Sequence, residues 1–271
     1  MAYKDVLVHV GAVETPALAA AITLARRHDA RLIGLGVQAL PYVGLYSAEP
    51  VPPSVVEALE AASAGNLTKA RSRFEHTVEQ YGYTGASEWR SERGRLLDSL
   101  GRHGRYADVI VVDKTDPGHE DPPFGLPADL VLASGRPVLI VPFAGMRGTM
   151  GERVVVAWNA SREAARAVAD AMPILVQARK VDVLVVTPRL TDYVPGLDIA
   201  RHLAAHGVTA NVVDRERILD PASEILNFLA ENDSDLLVMG CYGHARLREV
   251  IFGGVSLAML KSMTVPVLMS H

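Results

Sequence analysis

Residues 236–256 read LLVMGCYGHARLREVIFGGVS. Four apolar residues, Leu236–Met239, run straight into Gly240. A second glycine follows at Gly243, and after nine intervening residues comes the pair Gly253-Gly254. A short apolar run stopped by glycine reads as a buried strand, and the residues after Gly254 read as a helix. Strand, glycine turn and helix make the unit from which parallel sheets are built. The glycines themselves admit two readings. They let backbone N–H groups approach a phosphate in front of a helix N-terminus, or they only supply the φ freedom of a tight turn.

Outward from this stretch the alternation continues. Strands are predicted over 153–158, 181–186, 208–213, 235–239 and 265–269, and helices over 162–176, near 194–206, over 221–231 and near 254–263. Ala164, Val168, Ala171 and Leu175 make one narrow stripe at helical spacing, suited to lying on a sheet, with Ser161 placed to cap that helix. Gly207 stands where a helix C-terminus needs a left-handed residue, and Asp220-Pro221 supplies a cap and a first-turn proline. Strands that are apolar throughout, such as Val183–Val186, belong to a sheet covered on both faces. The fold class is therefore α/β, a doubly wound, Rossmann-like parallel sheet. Its usual strand order is 3-2-1-4-5, and ligands bind beyond the C-terminal ends of strands 1 and 4, where the chain changes direction across the sheet. The loops there are Asn159–Ser161 and the one that begins at Gly240.

The pattern occurs twice. Asp5–Val10 with the helical stretch 16–28 matches Arg153–Trp158 with 162–176; Ala107–Val112 matches Ser234–Met239, and Arg136–Val141 matches Val265–Met269. The offset is 148 residues at the first of these strands and 127 at the fourth. Between the copies, glycine-rich Phe143–Gly151 reads as a linker, giving tandem five-stranded domains at 1–143 and 151–271. The last strand of each copy is short, apolar and introduced by a proline, so each would be a sticky edge if left unpaired. Pairing the two edges within the chain removes the exposure; a homo-oligomer beyond that is left open.

Composition narrows the function. A chain of 271 residues, 49% hydrophobic and 21% charged, can bury two ordinary cores. Its apolar runs are of strand length, far short of the ~20 residues a bilayer helix needs. The N-terminal MAYKDVLVHV lacks the basic-then-apolar layout of a secretion signal, so a cytoplasmic protein without a membrane partner is expected. One cysteine excludes an internal disulfide and a cysteine metal cluster, and a net charge of −4 offers no broad basic surface for nucleic acid.

The spacing Gly240-x2-Gly243-x9-Gly253, then Ser256, lies between a strand ending in Val-Met and one opening with Val-Pro-Val-Leu. It resembles the nucleotide-binding signature of the universal stress protein family, and with the repeat the resemblance extends over nearly the whole chain. It implies an adenine-nucleotide-binding α/β module acting in stress responses, often dimeric. The implied site is Asn159, Gly240, Gly243, Gly253, Gly254 and Ser256, with His244 and Arg246 as further phosphate contacts. The implied ligand is ATP or another adenine nucleotide, with magnesium only as its companion and no metal site of the protein's own. Nucleotide-binding members carry Ser or Thr directly after the third glycine and Asp after the first strand; this chain has Gly254 and Asn159 there. No Ser-His-Asp set and no Gly-x4-Gly-Lys-Ser/Thr loop is recognisable, so no enzyme activity is expected beyond, at most, slow ATP hydrolysis. The reading from a different class is a scaffold or interaction protein whose glycine loop is architecture.

The first copy differs at both loops. Gly11 takes the place of Asn159, and the strand-4 loop, from Asp113 to Gly125, carries four carboxylates and three prolines. Carboxylates repel phosphate and prolines lack donors, so no nucleotide is expected there. That loop reads as solvated acidic surface or as a divalent-metal loop of Asp113, Asp116, His119, Glu120 and Asp121. Elsewhere, Cys241 reads as a small buried residue or a redox-sensitive thiol, and Trp158 as core or as a platform for a base. The helix at 54–81, with Val55, Leu59, Ala62, Phe74 and Val78, reads as amphipathic and core-facing.

Overall fold

The computed structural model describes residues 2–39, 52–114, 125–146, 148–187, 196–241 and 254–271. The first half contains β1 (Asp5–His9), α1 (Pro16–His28), β2 (Arg31–Ala39), α2 (Pro53–Gln80), β3 (Ser87–Gly94), α3 (Leu96–Gly104), β4 (Val109–Asp113), α4 (Gly125–Ser134) and β5 (Val138–Val141). The second contains β6 (Arg153–Ala157), α5 (Arg162–Leu175), β7 (Lys180–Thr187), α6 (Gly196–Ala205), β8 (Ala210–Glu216), α7 (Pro221–Glu231), β9 (Leu236–Gly240), α8 (Gly254–Ser262) and β10 (Val267–Ser270).

These strands make one sheet in the order β3-β2-β1-β4-β5-β10-β9-β6-β7-β8. Each half is thus a five-stranded parallel sheet of order 3-2-1-4-5. The halves meet through an antiparallel pair, the one such pair among the described residues, β5 with β10, in which Leu139 faces Leu268. The apolar edges predicted from the two prolines cover each other. The outer edges are protected differently: β3 carries Glu88, Arg90, Glu92 and Arg93, and β8 carries Asp214, Arg215 and Glu216, charges that disfavour addition of another strand.

Because side chains alternate across a strand, each face of the sheet has its own core. Val6, Val8, Val154 and Val156 lie in the core beneath α1, α2, α5 and α6; Leu7, Ile110, Val155 and Leu237 lie in the other, with α3, α4, α7 and α8. Both cores run through the β5/β10 junction, since Leu139 and Leu268 belong to one and Ile140 and Val267 to the other. Polar ties reinforce the junction. The Tyr3 hydroxyl donates to the Asp170 carbonyl at 2.7 Å, and the Arg27 guanidinium donates to Met150 O, Gln177 O and Gln177 Oε1, each at 2.8 Å.

Local signals act as their chemistry requires. Ser161 Oγ caps α5 by accepting from Ala164 N at 3.1 Å, and Asp220 caps α7 through Ala222 N and Ser223 N. The repeat extends to individual hydrogen bonds: Asp108 accepts from the N–H groups of Lys4 and Asp5, and Asp235, 127 residues on, accepts from those of Glu152 and Arg153.

One expectation is corrected. The N-terminal half of α2 does not face the core: Val55 and Leu59 are 45% and 46% exposed, and burial begins at Ala70 and Phe74. A helix of 28 residues is about 42 Å long, whereas the nine-residue β2 spans about 30 Å, so α2 overshoots the sheet it packs on.

Candidate functional site

The crevice of the second half lies beyond the C-terminal ends of β6 and β9, which are adjacent and in register, Ala157 opposite Met239. The loop after β6 is set by an Asx turn. Asn159 Oδ1 accepts from Ser161 N at 3.1 Å, Ala160 takes a left-handed φ of +58°, and Ser161 then caps α5. With its oxygen engaged, exposed Asn159 offers a ligand the two N–H groups of its amide. Trp158 is half-buried and packs against the core.

Gly240 ends β9 directly against the first turn of α5. A Cβ built there would stand 2.4 Å from Ala164 N and from the carbonyl carbon of Glu163. Only glycine fits under that helix.

Glu163, beside the crevice, is a buried acid that motif reading misses. It is 4% exposed, in the first turn of α5, and its carboxylate accepts from Arg162 Nη2 at 3.0 Å. Burial alone would raise its pKa, but hydrogen bonds from its own N–H, from Arg162 and from Ser161 prevail and hold the carboxyl below its usual range. Its only sequence signal is an acid two residues after a capping serine.

Cys241, next in the chain, is buried, with Sγ 3.3 Å from Ser270 O. Burial and then the Glu163 charge push its pKa up to about 12. Its burial and raised pKa favour the reading as a small buried residue.

Across the crevice, α8 starts at Gly254 and has no acidic residue in its first turn. Among the described residues, a Cβ at Gly254 would meet nothing within 4 Å. Ser256, two residues on, is buried. The first turn of a helix carries N–H groups without intrahelical partners and the positive end of the helix dipole, so this end suits an anion. Of the residues named from the sequence, Asn159 and Gly240 are brought to neighbouring strand ends, and Gly254 and Ser256 to the start of α8. Gly243, His244, Arg246 and Gly253 lie outside the described residues.

The first half arranges the equivalent place differently. Asp113, at the position of Gly240, turns its carboxylate onto α1 and accepts from Ala17 N at 3.0 Å. Burial raises its pKa, with hydrogen bonds from Thr15 and Ala17 opposing that in part. Beside it is a small depression lined by His9, Val13, Glu14, Thr15, Arg73 and Thr77, where burial lowers the His9 pKa to about 4 and keeps the imidazole neutral. Among the described residues no three His, Cys, Asp or Glu side chains converge on a metal position, and no helix is long and apolar enough to cross a membrane. Asp116, His119, Glu120 and Asp121 of the acidic loop lie outside the described residues.

The family model described as the universal stress protein family matches residues 150–271. The C-terminal half is a universal stress protein domain. Among curated proteins, none matches the chain in sequence. Among solved structures, a universal stress protein from Archaeoglobus fulgidus is similar over 98% of this chain and 95% of its own, at 15% identity and a TM-score of 0.72. A functionally unknown protein from Pseudomonas aeruginosa is similar over 99% and 92%, at 14% identity and a TM-score of 0.57. What these two share with the chain is the fold, across both halves. A universal stress protein in complex with cAMP matches 53% of this chain and 99% of its own, at 21% identity and a TM-score of 0.39.

Proposed function

We propose that the chain is a tandem universal stress protein, with domains at 1–143 and 151–271, that acts in a stress response by binding an adenine nucleotide in its second domain alone. The observation that carries the reading is the start of α8. Among the described residues it faces the crevice with an unobstructed glycine, a serine in its first turn and no carboxylate in that turn, directly after a loop whose glycines have the family's spacing. In this reading Asn159 donates to the ligand's oxygens and the α8 N–H groups hold phosphate, with Gly243, Gly253, His244 and Arg246 completing the cradle. The first domain serves as scaffold, because the carboxylate of Asp113 stands at the strand end where the second domain has Gly240, and it takes the Ala17 N–H of α1. In this reading the chain carries out no catalysis beyond, at most, slow ATP hydrolysis.

A second reading has its own support: Gly240 is demanded by helix packing, so one glycine of the motif is explained without a ligand. The two readings separate on purified full-length protein. Mass spectrometry of nucleotide released on denaturation, and titration with ATP, AMP and cAMP, should find one equivalent bound. Gly243→Val should abolish binding, and Asp113→Ala should leave it unchanged. Two equivalents would overturn restriction to the second domain; no binding to the wild type would leave the scaffold.

A further inference from the structure

We propose that His202 and His206 form a surface chelate for a late first-row divalent metal ion, Cu2+, Ni2+ or Zn2+. His202 lies in the last turn of α6 and His206, four residues on, in the turn that directly follows it, close to the spacing that puts two imidazoles on one helix face. Both are exposed, while Leu203 between them is fully buried and fixes which face of α6 turns outward. The rings are already together, with centroids 4.7 Å apart and planes at 63°. A metal bound to imidazole nitrogen at ~2.0–2.1 Å lies about 3.2 Å from the ring centre, so two neighbouring ligands on one ion place their centres about 4.5–5.2 Å apart. The observed spacing falls inside that interval.

Backbone geometry keeps His206 in place where a helix end would otherwise fray. His206 N and Val208 N both donate to Leu203 O at 3.0 Å, Gly207 N donates to Ala204 O at 3.0 Å, and Gly207 closes the turn at φ +81°. The charge environment suits a cation. The pair sits at the negative end of the α6 dipole, and the adjacent guanidinium of Arg201 is directed to Asp198 at 3.4 Å. No third His, Cys, Asp or Glu joins the pair among the described residues, so water fills the remaining positions. The residue after His202 is Leu203 rather than the glutamate of a zinc-protease helix, so the site binds without a general base. Imidazole ligands and the usual order of divalent affinities make Cu2+ the tightest of the three.

The test uses full-length protein with any purification tag removed, titrated with CuCl2 and separately with NiCl2 by calorimetry, with electron paramagnetic resonance on the Cu2+ form. One equivalent should bind with two coordinated nitrogens. His202→Ala and His206→Ala should each weaken binding at least tenfold and leave one nitrogen, at unchanged melting temperature without metal. His76→Ala, an exposed histidine on α2, should bind as the wild type does. If either of the first two variants binds as tightly as the wild type, or the wild type binds no better than they do, the chelate is wrong.

Discussion

The two halves answer the same problem with the carboxylate on opposite sides. At the end of the fourth strand the first half has Asp113 and the second has Gly240; in the first turn of the helix facing it, the first half has Ala17 and the second has Glu163. Helix N-termini need acceptors for their free N–H groups. In the first half the acceptor comes from the strand, and Asp113 sits between β4 and α1. In the second it comes from the helix itself, which lets α5 rest directly on the backbone of β9. Removing the side chain from the strand end is therefore first a packing decision, made before any ligand arrives. Gly240→Ala tests this most severely. A Cβ 2.4 Å from two backbone atoms cannot be absorbed by a side-chain rotation, so a loss of about 3 kcal/mol in chemical denaturation is expected. Asp113→Ala, which removes the hydrogen bonds from Ala17 and Thr15, should cost about 1–2 kcal/mol. Equal losses would mean that α5 can move aside and that the contrast between the halves is superficial.

The aspartates that begin β4 and β9 offer a graded version. Asp108 accepts from two backbone N–H groups, those of Lys4 and Asp5. Asp235 accepts from Gly151, Glu152 and Arg153 N and from the Thr149 hydroxyl, so it also fastens the segment that joins the halves. Asp235→Ala should cost about 2–3 kcal/mol and Asp108→Ala about 1–2 kcal/mol, read from urea midpoints at constant slope. The reverse order would show that the joining segment is not held by this carboxylate.

These contrasts also show what could be read in the sequence. Strands that are apolar on both faces, capping Ser161 and Asp220, and the doubled pattern specify a parallel α/β fold before any coordinates, because each is a local signal. The β5/β10 pairing was legible too, through two apolar edges that had nowhere else to go. The overshoot of α2 was not, since Val55 and Leu59 have helical spacing and only the length of β2 decides what that face can reach. Glu163 was hidden for a related reason: an acid near a helix start is ordinarily a solvated dipole partner, and its burial depends on a strand seventy residues away. Asp113 was visible as an acid but not as a plug, because its partner is the backbone of Ala17.

Acid should act through two imidazoles of the first half, His28, which is buried, and His9, which is half-buried. His9 lies at the end of β1, and His28 lies at the junction between the halves, against Tyr3 and Gln177. Both have pKa values lowered to about 4, His9 by burial and His28 by burial and then the charge of Arg27. Above pH 6.5 neither the native nor the unfolded chain protonates these groups. Between pH 6.5 and about 4 the unfolded chain binds protons that the native chain refuses, so stability falls as pH falls through that window. The limit is about 1.4 kcal/mol per pH unit for each imidazole. Urea midpoints should therefore drop between pH 7 and pH 5, and His28→Gln should drop less than the wild type. An identical drop in the variant would remove His28 from the acid response.

The smallest expected effect on stability is also the most informative about function. Gly254 belongs to the same motif as Gly240, yet among the described residues a Cβ there meets nothing within 4 Å, and its φ lies outside the left-handed region. Packing among the described residues gives no reason for glycine at this position. Replacing a glycine in a compatible conformation restricts the unfolded chain and is neutral or stabilising by up to about 0.5–1 kcal/mol, so Gly254→Ala should leave the melting temperature unchanged or slightly raised. If the absent side chain instead leaves room for a phosphate, the same variant should lose nucleotide affinity while keeping full stability. That combination separates a glycine held for a ligand from Gly240, held for a helix. A Gly254→Ala protein as unstable as Gly240→Ala would place both glycines in the architecture and remove the main support for a nucleotide at α8.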